Sequence, residues 1–571
     1  MGLKRPRLIL LILAVVLVTM AVVLAVSGGF RTTVGGFRIS ARSPLAASVA
    51  ALIAGAAWWF LARRERLAAA DLEALWLGIE RHSSRLIGAI ALVAAIVAAS
   101  FATRSAAGAD ASGYLSQAAM WARGETVDYQ PFDEPFQFPT HNGWLMTPLG
   151  WIPFEPNYLN PLQVPTYPPG LPLLMAVPHA LAGLDGATAV VIASAALAVW
   201  STGMIAGGTV GVMAAILLAF VPPFLYQSFQ PMSDVPVTAA WMMCFLLAGH
   251  ERRSLWAGIA CAAAVLIRPN LAPLAVVPWL LASHKWWFAA PVAAAGLFLG
   301  YMQLMWYGSP LRSGYGAAEE LFAFSNVGPN ATRYFTWLIA TAPVLLFAPL
   351  GFMRIRSDRR SVAAVGFAVL VVAAYLIYAV FDHWSYLRFL LPALALFAVF
   401  AAIELTAWIQ RWPMGWRAPL FLALVLTVVA YSLIVARSLD TFKLRDQLRR
   451  VEQVAEFINR TAPDYAVMLA GEQSGSMRYY TDRSILRWEA AAPDELAKAL
   501  ASLAASDRPV YIVLDAWENE PFLRKFAAVT SVALDWPAAV DAGTTHRTHL
   551  WRAGDRARFL AGENLQTVRL P

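Results

Sequence analysis

The sequence predicts a multi-spanning bundle of membrane α-helices that carries a small soluble α/β domain at its C-terminal end. Apolar residues make up 59% of the 571-residue chain and charged residues 14%, whereas soluble proteins carry roughly 25% charged residues. Long apolar runs recur as far as residue 437, and the composition becomes mixed after it. These two observations indicate a membrane protein followed by a domain that folds in water.

The same composition excludes several other classes of protein. Disordered and collagen-like chains lack this apolar content. The two cysteines, Cys244 and Cys261, lie in apolar stretches and suggest neither a disulfide nor a metal site. The formal charge of +8 would suit a nucleic-acid partner, but the arginines recur in short clusters between apolar runs. We therefore interpret them as topology signals and expect no nucleic-acid partner.

Fourteen apolar runs are long enough, or nearly so, to cross about 30 Å of hydrocarbon. The first follows Lys4, Arg5 and Arg7 and exceeds the apolar core of a secretory signal, so we interpret it as an anchor with its N-terminus in the cytoplasm. The runs lie at 8–26, 45–62, 86–102, 169–183, 187–206, 209–226, 235–249, 254–268, 270–283, 286–304, 336–352, 362–381, 386–409 and 417–437.

Basic clusters between the runs predict their orientation. Five arginines place the 63–85 loop in the cytoplasm, which sends the 103–168 loop to the outer side. The basic clusters at 250–253, 354–360 and 411–417 also belong in the cytoplasm, so everything after residue 437 is outside. Fourteen crossings would return the C-terminus to the cytoplasm, so we predict thirteen.

One run must then re-enter the membrane or lie in its interface. We choose 169–183, because it is short, follows a proline-rich segment and carries Pro178 and His179. The expected divisions are 1–102 for N-terminal membrane helices, 103–168 for an external catalytic loop, 169–437 for the membrane core and 438–571 for an external domain.

The segment after residue 437 shows the pattern of an α/β domain. Residues 443–460 are charged and have helical period, and 465–470 and 510–514 are short apolar runs of strand type. A helix-like run at 493–505 precedes the second strand.

Two acids stand at the outer surface of the predicted bundle. Asp110 can cap a helix over residues 111–123, and a carboxylate there could also be a general base for an acceptor hydroxyl. Ser233 or Asp234 can cap the helix that begins at 235. A second acid beside Asp110 would allow the two to divide base and orienting roles.

Two arginines are predicted at the same outer level. Arg268 ends the 254–268 run, and Arg388 begins the 386–409 run. An interfacial arginine suggests a functional site, and phosphate is its natural bidentate partner. The alternatives are that Arg268 only snorkels to the interface and that Arg388 belongs to an aromatic belt with Trp384 and Tyr386.

Metal and cofactor chemistry have no clear sequence signal. His141 and His179 lack partners at metal-ligand spacing, so we expect no metal site. We also expect no cofactor, with a divalent-metal requirement left open.

Together these residues resemble the protein O-mannosyltransferase and aminoarabinose-transferase group of GT-C glycosyltransferases, which is classed as glycosyltransferase family 39-like. The similarity covers most of residues 86–440 as an ordered set of motifs. The set comprises Asp110, Tyr114 and the segment 118–124; Tyr167-Pro168-Pro169-Gly170; Met232-Ser233-Asp234-Val235-Pro236; Arg268-Pro269; and Tyr386-Leu387-Arg388-Phe389. The C-terminal segment resembles the external domains of some bacterial members.

The resemblance implies an integral-membrane GT-C fold and an inverting transfer from a polyprenyl-phosphate sugar to an acceptor hydroxyl. It makes Asp110 the catalytic base, with Asp234 as a second catalytic acid. Arg268 and Arg388 would bind the donor phosphate, and we name Tyr114, Tyr167 and Tyr386 as substrate-binding candidates.

The expected partners are the lipid donor, a glycan, lipid or protein acceptor, and the bilayer. The expected location is a bacterial inner membrane, with the site and the C-terminal domain facing the periplasm. A transporter or flippase of a lipid-linked substrate is the alternative. Transporters tend to show internal repeats and polar helices at mid-membrane, whereas here the acids and arginines gather at one surface. An inactive membrane scaffold is the third possibility.

Overall fold

The computed structural model describes residues 4–27, 30–34, 37–41, 43–64, 67–130, 142–154, 162–316 and 321–571. The helices of the membrane part and its outer loop are α1 (Lys4–Ser27), α2 (Pro44–Arg64), α3 (Ala68–Arg81), α4 (Ser83–Phe101), α5 (Ala109–Ala122), α6 (Gly170–Ala206), α7 (Gly208–Phe220), α8 (Pro222–Ser228), α9 (Asp234–Ala248), α10 (Ser254–Ile267), α11 (Val276–Leu281), α12 (Lys285–Tyr307), α13 (Val327–Thr341), α14 (Ala348–Ile355), α15 (Arg359–Leu376), α16 (Leu391–Gln410) and α17 (Met414–Ser438). A hairpin of β1 (Phe30–Val34) and β2 (Phe37–Ala41) joins α1 to α2.

Many of these helices are suited to a membrane by length and composition. Seven of the described helices are long and apolar enough to cross it, or up to nine if each of two bent pairs is one span. Shorter apolar helices lie at Pro6–Val22, Asp234–Ala248, Ser254–Ile267 and Pro269–Leu281. The predicted fold class, a multi-spanning helical bundle with a C-terminal α/β domain, is confirmed. The number of thirteen crossings stays a prediction.

The centre of the bundle is the segment Trp384–Gln410, a 3-10 turn that continues into α16. In its most apolar stretch 83% of the residues are buried, against 22–39% in the other spans. Neighbours α7, α9 and α14 surround it. Because Arg388 lies in the 3-10 turn that opens this central segment, its side chain is held at the middle of the bundle end rather than at its rim.

Helix α6 is broken at Ala182 and Gly183, where the backbone leaves helical φ and ψ angles. Its first part starts with Gly170 against the backbone of Ile267. Near the break, His179 hydrogen-bonds the Tyr479 hydroxyl of the C-terminal domain at 2.9 Å. Helix α6 as a whole is long and apolar enough to cross a membrane, and the prediction that 169–183 does not cross stays a prediction.

The outer loop folds into a helix and a small sheet. Helix α5 packs on α6, and the chain then forms β3 (Asp128–Tyr129), β4 (Trp151–Pro153) and β5 (Leu162–Pro165). The strands pair antiparallel in the order β3-β5-β4. This sheet returns the chain to Tyr167, beside the start of α5.

The C-terminal domain is built on one six-stranded mixed sheet. Its strands are, in spatial order, β11 (Val568–Leu570), β9 (Val540–Ala542), β10 (Thr548–Arg552), β8 (Val510–Asp515), β6 (Val467–Ala470) and β7 (Ser484–Arg487). Alternate residues of β6 face opposite sides, so Val467 and Leu469 join one apolar cluster while Met468 and Ala470 join the other. The helices are α18 (Leu444–Thr461), α19 (Ser474–Thr481), α20 (Pro493–Ala505), α21 (Asn519–Lys525) and α22 (Asp555–Leu560).

Candidate active site

Four separate chain segments meet at the end of the bundle that faces the C-terminal domain. They are the first turn of α5, the first turn of α9, the residue after α10 and the 3-10 turn before α16. Each supplies one of the four charged residues that the sequence singled out: Asp110, Asp234, Arg268 and Arg388. The fold therefore brings these four charged side chains together at one end of the bundle.

Asp110 is held by two donors from distant parts of the chain. Its Oδ1 accepts a hydrogen bond from the Tyr167 hydroxyl at 2.8 Å, and its Oδ2 accepts one from Arg388 Nη2 at 2.8 Å. The prediction that Asp110 caps its helix is wrong, because the helix starts one residue earlier and Gly108 is the N-cap. Asp110 stands in the first turn, so its side chain is directed into the site.

Asp234 forms the second carboxylate–guanidinium pair. Arg268 Nη2 donates a hydrogen bond to Asp234 Oδ1. The expected capping of α9 by Ser233 or Asp234 is wrong, since the N-cap Ser233 makes no side-chain capping bond. The Ser233 hydroxyl instead accepts from the Tyr114 hydroxyl at 3.0 Å and from Arg268 Nε at 3.4 Å.

The two pairs are close enough to form one charge network. Arg388 Nη1 lies 4.0 Å from Asp234 Oδ2, an oxygen with no hydrogen bond among the described residues. The two carboxylates differ in access, since the Asp110 side chain is 35% exposed and that of Asp234 is 1% exposed. Asp110 can therefore meet a ligand directly, and Asp234 can act only through its partners.

Aromatic rings support the two guanidinium groups. The Cζ atoms of Arg268 and Arg388 lie 5.4 Å and 5.2 Å from the centre of the Phe389 ring. Arg388 Cζ is also 5.0 Å from the Tyr386 ring centre. Cation–π contacts at this distance stabilise a cation where water is scarce. Phe389 thus holds two like charges beside one cavity.

The cavity has a volume of about 510 Å³, and all seven residues predicted for the site line it. Seven tyrosine rings line it. The tyrosines that line it are Tyr114, Tyr167, Tyr307, Tyr315, Tyr375, Tyr378 and Tyr386. The rings of Tyr114 and Tyr167 lie 4.7 Å apart, centre to centre. Such a wall offers apolar faces and hydrogen-bonding hydroxyls together, which suits a sugar.

Sequence reasoning missed part of this wall. The Tyr375 hydroxyl accepts from Arg268 Nη1 at 3.3 Å and from Asn270 Nδ2 at 3.0 Å. Tyr375 and Tyr378 end a long apolar run, where they resemble ordinary interfacial tyrosines. Because α15 ends at Leu376, Tyr378 lies beyond the helix, and no helical period in the sequence indicates that both rings line one site.

The surroundings of Asp110 set its ionisation. Burial alone would raise the pKa of this carboxyl, but the Arg388 charge and the hydrogen bonds from Tyr167 and Arg388 outweigh burial and lower the pKa below its usual value. Asp110 is therefore a carboxylate at neutral pH in the free protein.

The described residues contain no group of three or more His, Cys, Asp or Glu side chains that could hold a metal ion. His179 is bonded to Tyr479, and His141 lies outside the described residues. Cys244 and Cys261 are both buried and free.

Residues 308–469 match the family model of the Alg9-like mannosyltransferase family. No curated protein sequence matches the chain. Crystal structures of ArnT from Cupriavidus metallidurans, bound to undecaprenyl phosphate and in the apo state, share 13% and 16% identity with this chain. The alignments cover 81% and 82% of this chain and 97% of each ArnT chain, and each has a TM-score of 0.47.

The crystal structure of the Archaeoglobus fulgidus oligosaccharyltransferase complex with Zn and sulfate is 13% identical, over 79% of this chain and 71% of its own, with a TM-score of 0.49. With TM-scores below 0.5, these similarities imply no shared residue roles. The family match confirms the predicted resemblance to GT-C glycosyltransferases. The class that it indicates is an integral-membrane glycosyltransferase.

Proposed function

We propose that this protein transfers a sugar from a polyprenyl-phosphate donor to an acceptor hydroxyl, with inversion at the anomeric carbon. The observation that carries the proposal is the contact between Asp110 and Arg388 at the wall of the tyrosine-lined cavity. It joins an accessible base to a phosphate-binding cation within one site. The match to a mannosyltransferase family and the undecaprenyl phosphate named for the ArnT structure agree with it.

Arg268 and Arg388 would bind the donor phosphate. Both guanidinium groups line the cavity, and their side chains are 10% and 13% exposed. Arginine forms bidentate hydrogen bonds with phosphate oxygens, and such bonds are strong where water is scarce. As the sugar leaves, negative charge grows on the phosphate oxygen, and two fixed cations there stabilise the transition state.

Donor binding would also activate Asp110. In the free protein Arg388 is bonded to this carboxylate, which makes it a weak base. A phosphate that competes for Arg388 weakens that bond and returns basicity to Asp110. The base would then be strongest when the donor is in place.

The proposed transfer forms one bond, breaks one bond and moves one proton. The acceptor oxygen forms a bond to the anomeric carbon while the bond from that carbon to the phosphate oxygen breaks and its electrons go to the phosphate. The hydroxyl proton moves to Asp110. The products are the glycoside and polyprenyl phosphate, and Asp110 later releases its proton to water.

Asp234 would serve as the orienting acid. Its side chain is 1% exposed and pairs with Arg268, which also bonds Ser233 and Tyr375. A buried carboxylate with these partners fixes the guanidinium but cannot reach an acceptor. We propose substrate-binding roles for Tyr114, Tyr167 and Tyr386 through their rings and hydroxyls.

We further propose that the site and the C-terminal domain face the periplasm of a bacterial inner membrane. The arginine clusters at 63–85, 250–253, 354–360 and 411–417 support the orientation by the positive-inside rule. The acceptor would be a glycan, a lipid or a protein with a hydroxyl group.

The test is transfer by purified protein in proteoliposomes from a panel of polyprenyl-phosphate sugars to hydroxyl acceptors. We expect release of polyprenyl phosphate in equal amount to product, and a product linkage of opposite anomeric configuration to the donor. Retained configuration would contradict the direct displacement, and donor translocation without product would favour a flippase.

A further inference from the structure

The helix that carries Asp110 does not cap its own N-terminus. Its N-cap is Gly108, at φ +78°, and no side chain of the helix accepts a hydrogen bond from the first turn. The first N–H groups of a helix need acceptors from elsewhere. For the N–H groups of Gly108 and Ala109, the acceptors come from the C-terminal domain, more than 360 residues further along the chain.

Three side chains of one short segment provide these acceptors. The Gly108 N–H donates to Gln473 Oε1 and to Ser476 Oγ, both at 3.1 Å. The Glu472 carboxyl faces the N–H of Ala109. The segment runs from the end of β6 into α19, so it is fixed to the sheet of the domain.

Gln473 is itself held in place by the domain core. Its Nε2 donates to Asp515 Oδ2 at 2.8 Å. Asp515, at the end of β8, also accepts from Arg450 at 3.2 Å and from Thr548. Gln473 and Asp515 are 3% and 2% exposed. The amide can therefore not turn away from Gly108 without breaking a buried network.

The two parts also fit closely beside this bond. A Cβ atom on Gly475 would lie 2.4 Å from both the Leu149 carbonyl oxygen and Ser112 Oγ, so only glycine allows the approach. The Ser474 hydroxyl accepts from the Leu149 N–H at 3.0 Å. Ser112 lies one half-turn after Asp110 in α5, so the contact bears directly on the helix that carries this acid.

We propose that the C-terminal domain is a working part of the active site, in which Gln473 is a positioning residue that caps α5 and fixes Asp110 between Tyr167 and Arg388. This role rests on the proposed function of Asp110 as a base. The domain itself need not touch the sugar, because it acts by holding the helix start where the carboxylate meets both donors.

The experiment compares Gln473→Ala with Asn142→Ala in the full-length protein. Asn142 is the matched control because its Nδ2 also joins the outer loop to the C-terminal domain, through the Ala490 carbonyl at 2.9 Å, away from α5. Hydrogen exchange of a peptide covering residues 106–114 is measured together with kcat and KM for sugar transfer. Thermal unfolding of each variant confirms that it is folded.

We expect faster exchange at the start of α5 and a kcat lower by about tenfold to a hundredfold in Gln473→Ala, since misplacement of a catalytic group by about 1 Å has this effect. The KM for the donor should change little, and Asn142→Ala should match the wild type. Ser476→Ala, which removes one of the two acceptors of Gly108, should show a smaller change in the same direction.

Unchanged exchange at residues 106–114 in Gln473→Ala would overturn the proposal, and so would equal losses in Gln473→Ala and Asn142→Ala. The proposed function fails separately, if the wild type transfers no sugar from any donor. In that case the exchange comparison still decides whether Gln473 fixes the start of α5.

Discussion

Arg388 donates a hydrogen bond to Asp110 at 2.8 Å across 278 residues of sequence. In the free protein the charge of Asp110, the proposed base, is therefore neutralised by Arg388, the proposed phosphate-binding residue. A phosphate that binds Arg388 must compete with this bond, which links donor binding to the basicity of Asp110. Under the proposed function, this competition predicts that the donor binds before the acceptor is activated.

Replacement of Arg388 by Gln should lower kcat/KM for sugar transfer by roughly a hundredfold to a thousandfold, because a fixed cation is lost where negative charge develops. Steady-state kinetics in proteoliposomes measures the change. Arg333→Gln is the control, since Arg333 pairs with the exposed Asp382 outside the cavity. Equal kinetics for Arg388→Gln and the control would exclude Arg388 from phosphate binding.

Replacement of Tyr167 by Phe should move the acid limb of the kcat/KM profile to higher pH. Burial raises the pKa of Asp110, and the Arg388 charge and the Tyr167 hydrogen bond lower it. Loss of that hydrogen bond lets the pKa rise, so the active carboxylate is protonated at a higher pH. The shift should be on the order of one pH unit or less.

The pH profile of Tyr307→Phe is the control for this shift. The Tyr307 hydroxyl lines the same cavity but donates to the Pro165 carbonyl at 2.6 Å. An acid limb that stays in place in Tyr167→Phe, or moves equally in both variants, would remove Asp110 as the titrating base.

Replacement of Glu472 by Gln should stabilise the protein at pH 8 and have little effect at pH 4. Burial and the neighbouring Glu518, Asp515 and Asp110 raise the pKa of Glu472 to about 7. Between the ordinary pKa of a glutamate and a pH of about 7, Glu472 is therefore more protonated in the folded state than in the unfolded state. The stability of the wild type falls as pH rises through this window.

A glutamine retains an acceptor for the Ala109 N–H and carries no charge. At pH 8 the free energy of unfolding of Glu472→Gln should therefore exceed that of the wild type by on the order of 1 to 2 kcal/mol. Thermal unfolding at both pH values measures it. Equal differences between variant and wild type at pH 4 and pH 8 would show that the carboxyl does not titrate in this window.

Replacement of Gly475 by Ala should destabilise the contact between the C-terminal domain and the outer loop. A Cβ atom there meets the Leu149 carbonyl and Ser112 at 2.4 Å, and overpacking of this kind costs about 1 to 3 kcal/mol. Gly554→Ala in the same domain is the control, because nothing lies within 4 Å of its added Cβ. Identical unfolding midpoints for the two variants would contradict the close fit.

The fold class and much of the site were predictable from the sequence because their signals are local. Apolar runs of sufficient length predict spans, and the strand type of 465–470 and 510–514 predicts β6 and β8. Asp234, Arg268 and Arg388 lie at the ends of apolar runs. Asp110 lies in the outer loop, and the basic clusters predict that all four residues are at one surface.

The remaining features depend on contacts between distant segments. Asp110 and Ser233 have good capping chemistry, yet neither caps its helix, because each side chain has partners in the site. The cap of α5 comes from Gln473, which no local pattern connects with Gly108. In sequence Tyr375 has the pattern of an interfacial residue, and only the fold shows that its hydroxyl accepts a hydrogen bond from Arg268.

The most direct measurement is sugar transfer and donor binding by Asp110→Asn, beside the wild type and Asp128→Asn, an acid of the same loop that pairs with Arg478 outside the cavity. Asparagine has nearly the shape of aspartate but cannot accept the acceptor's proton. We predict that Asp110→Asn binds the donor and loses transfer by roughly a hundredfold to ten-thousandfold, while Asp128→Asn retains it. Transfer by Asp110→Asn at the wild-type rate would contradict the assignment of this carboxylate as the base.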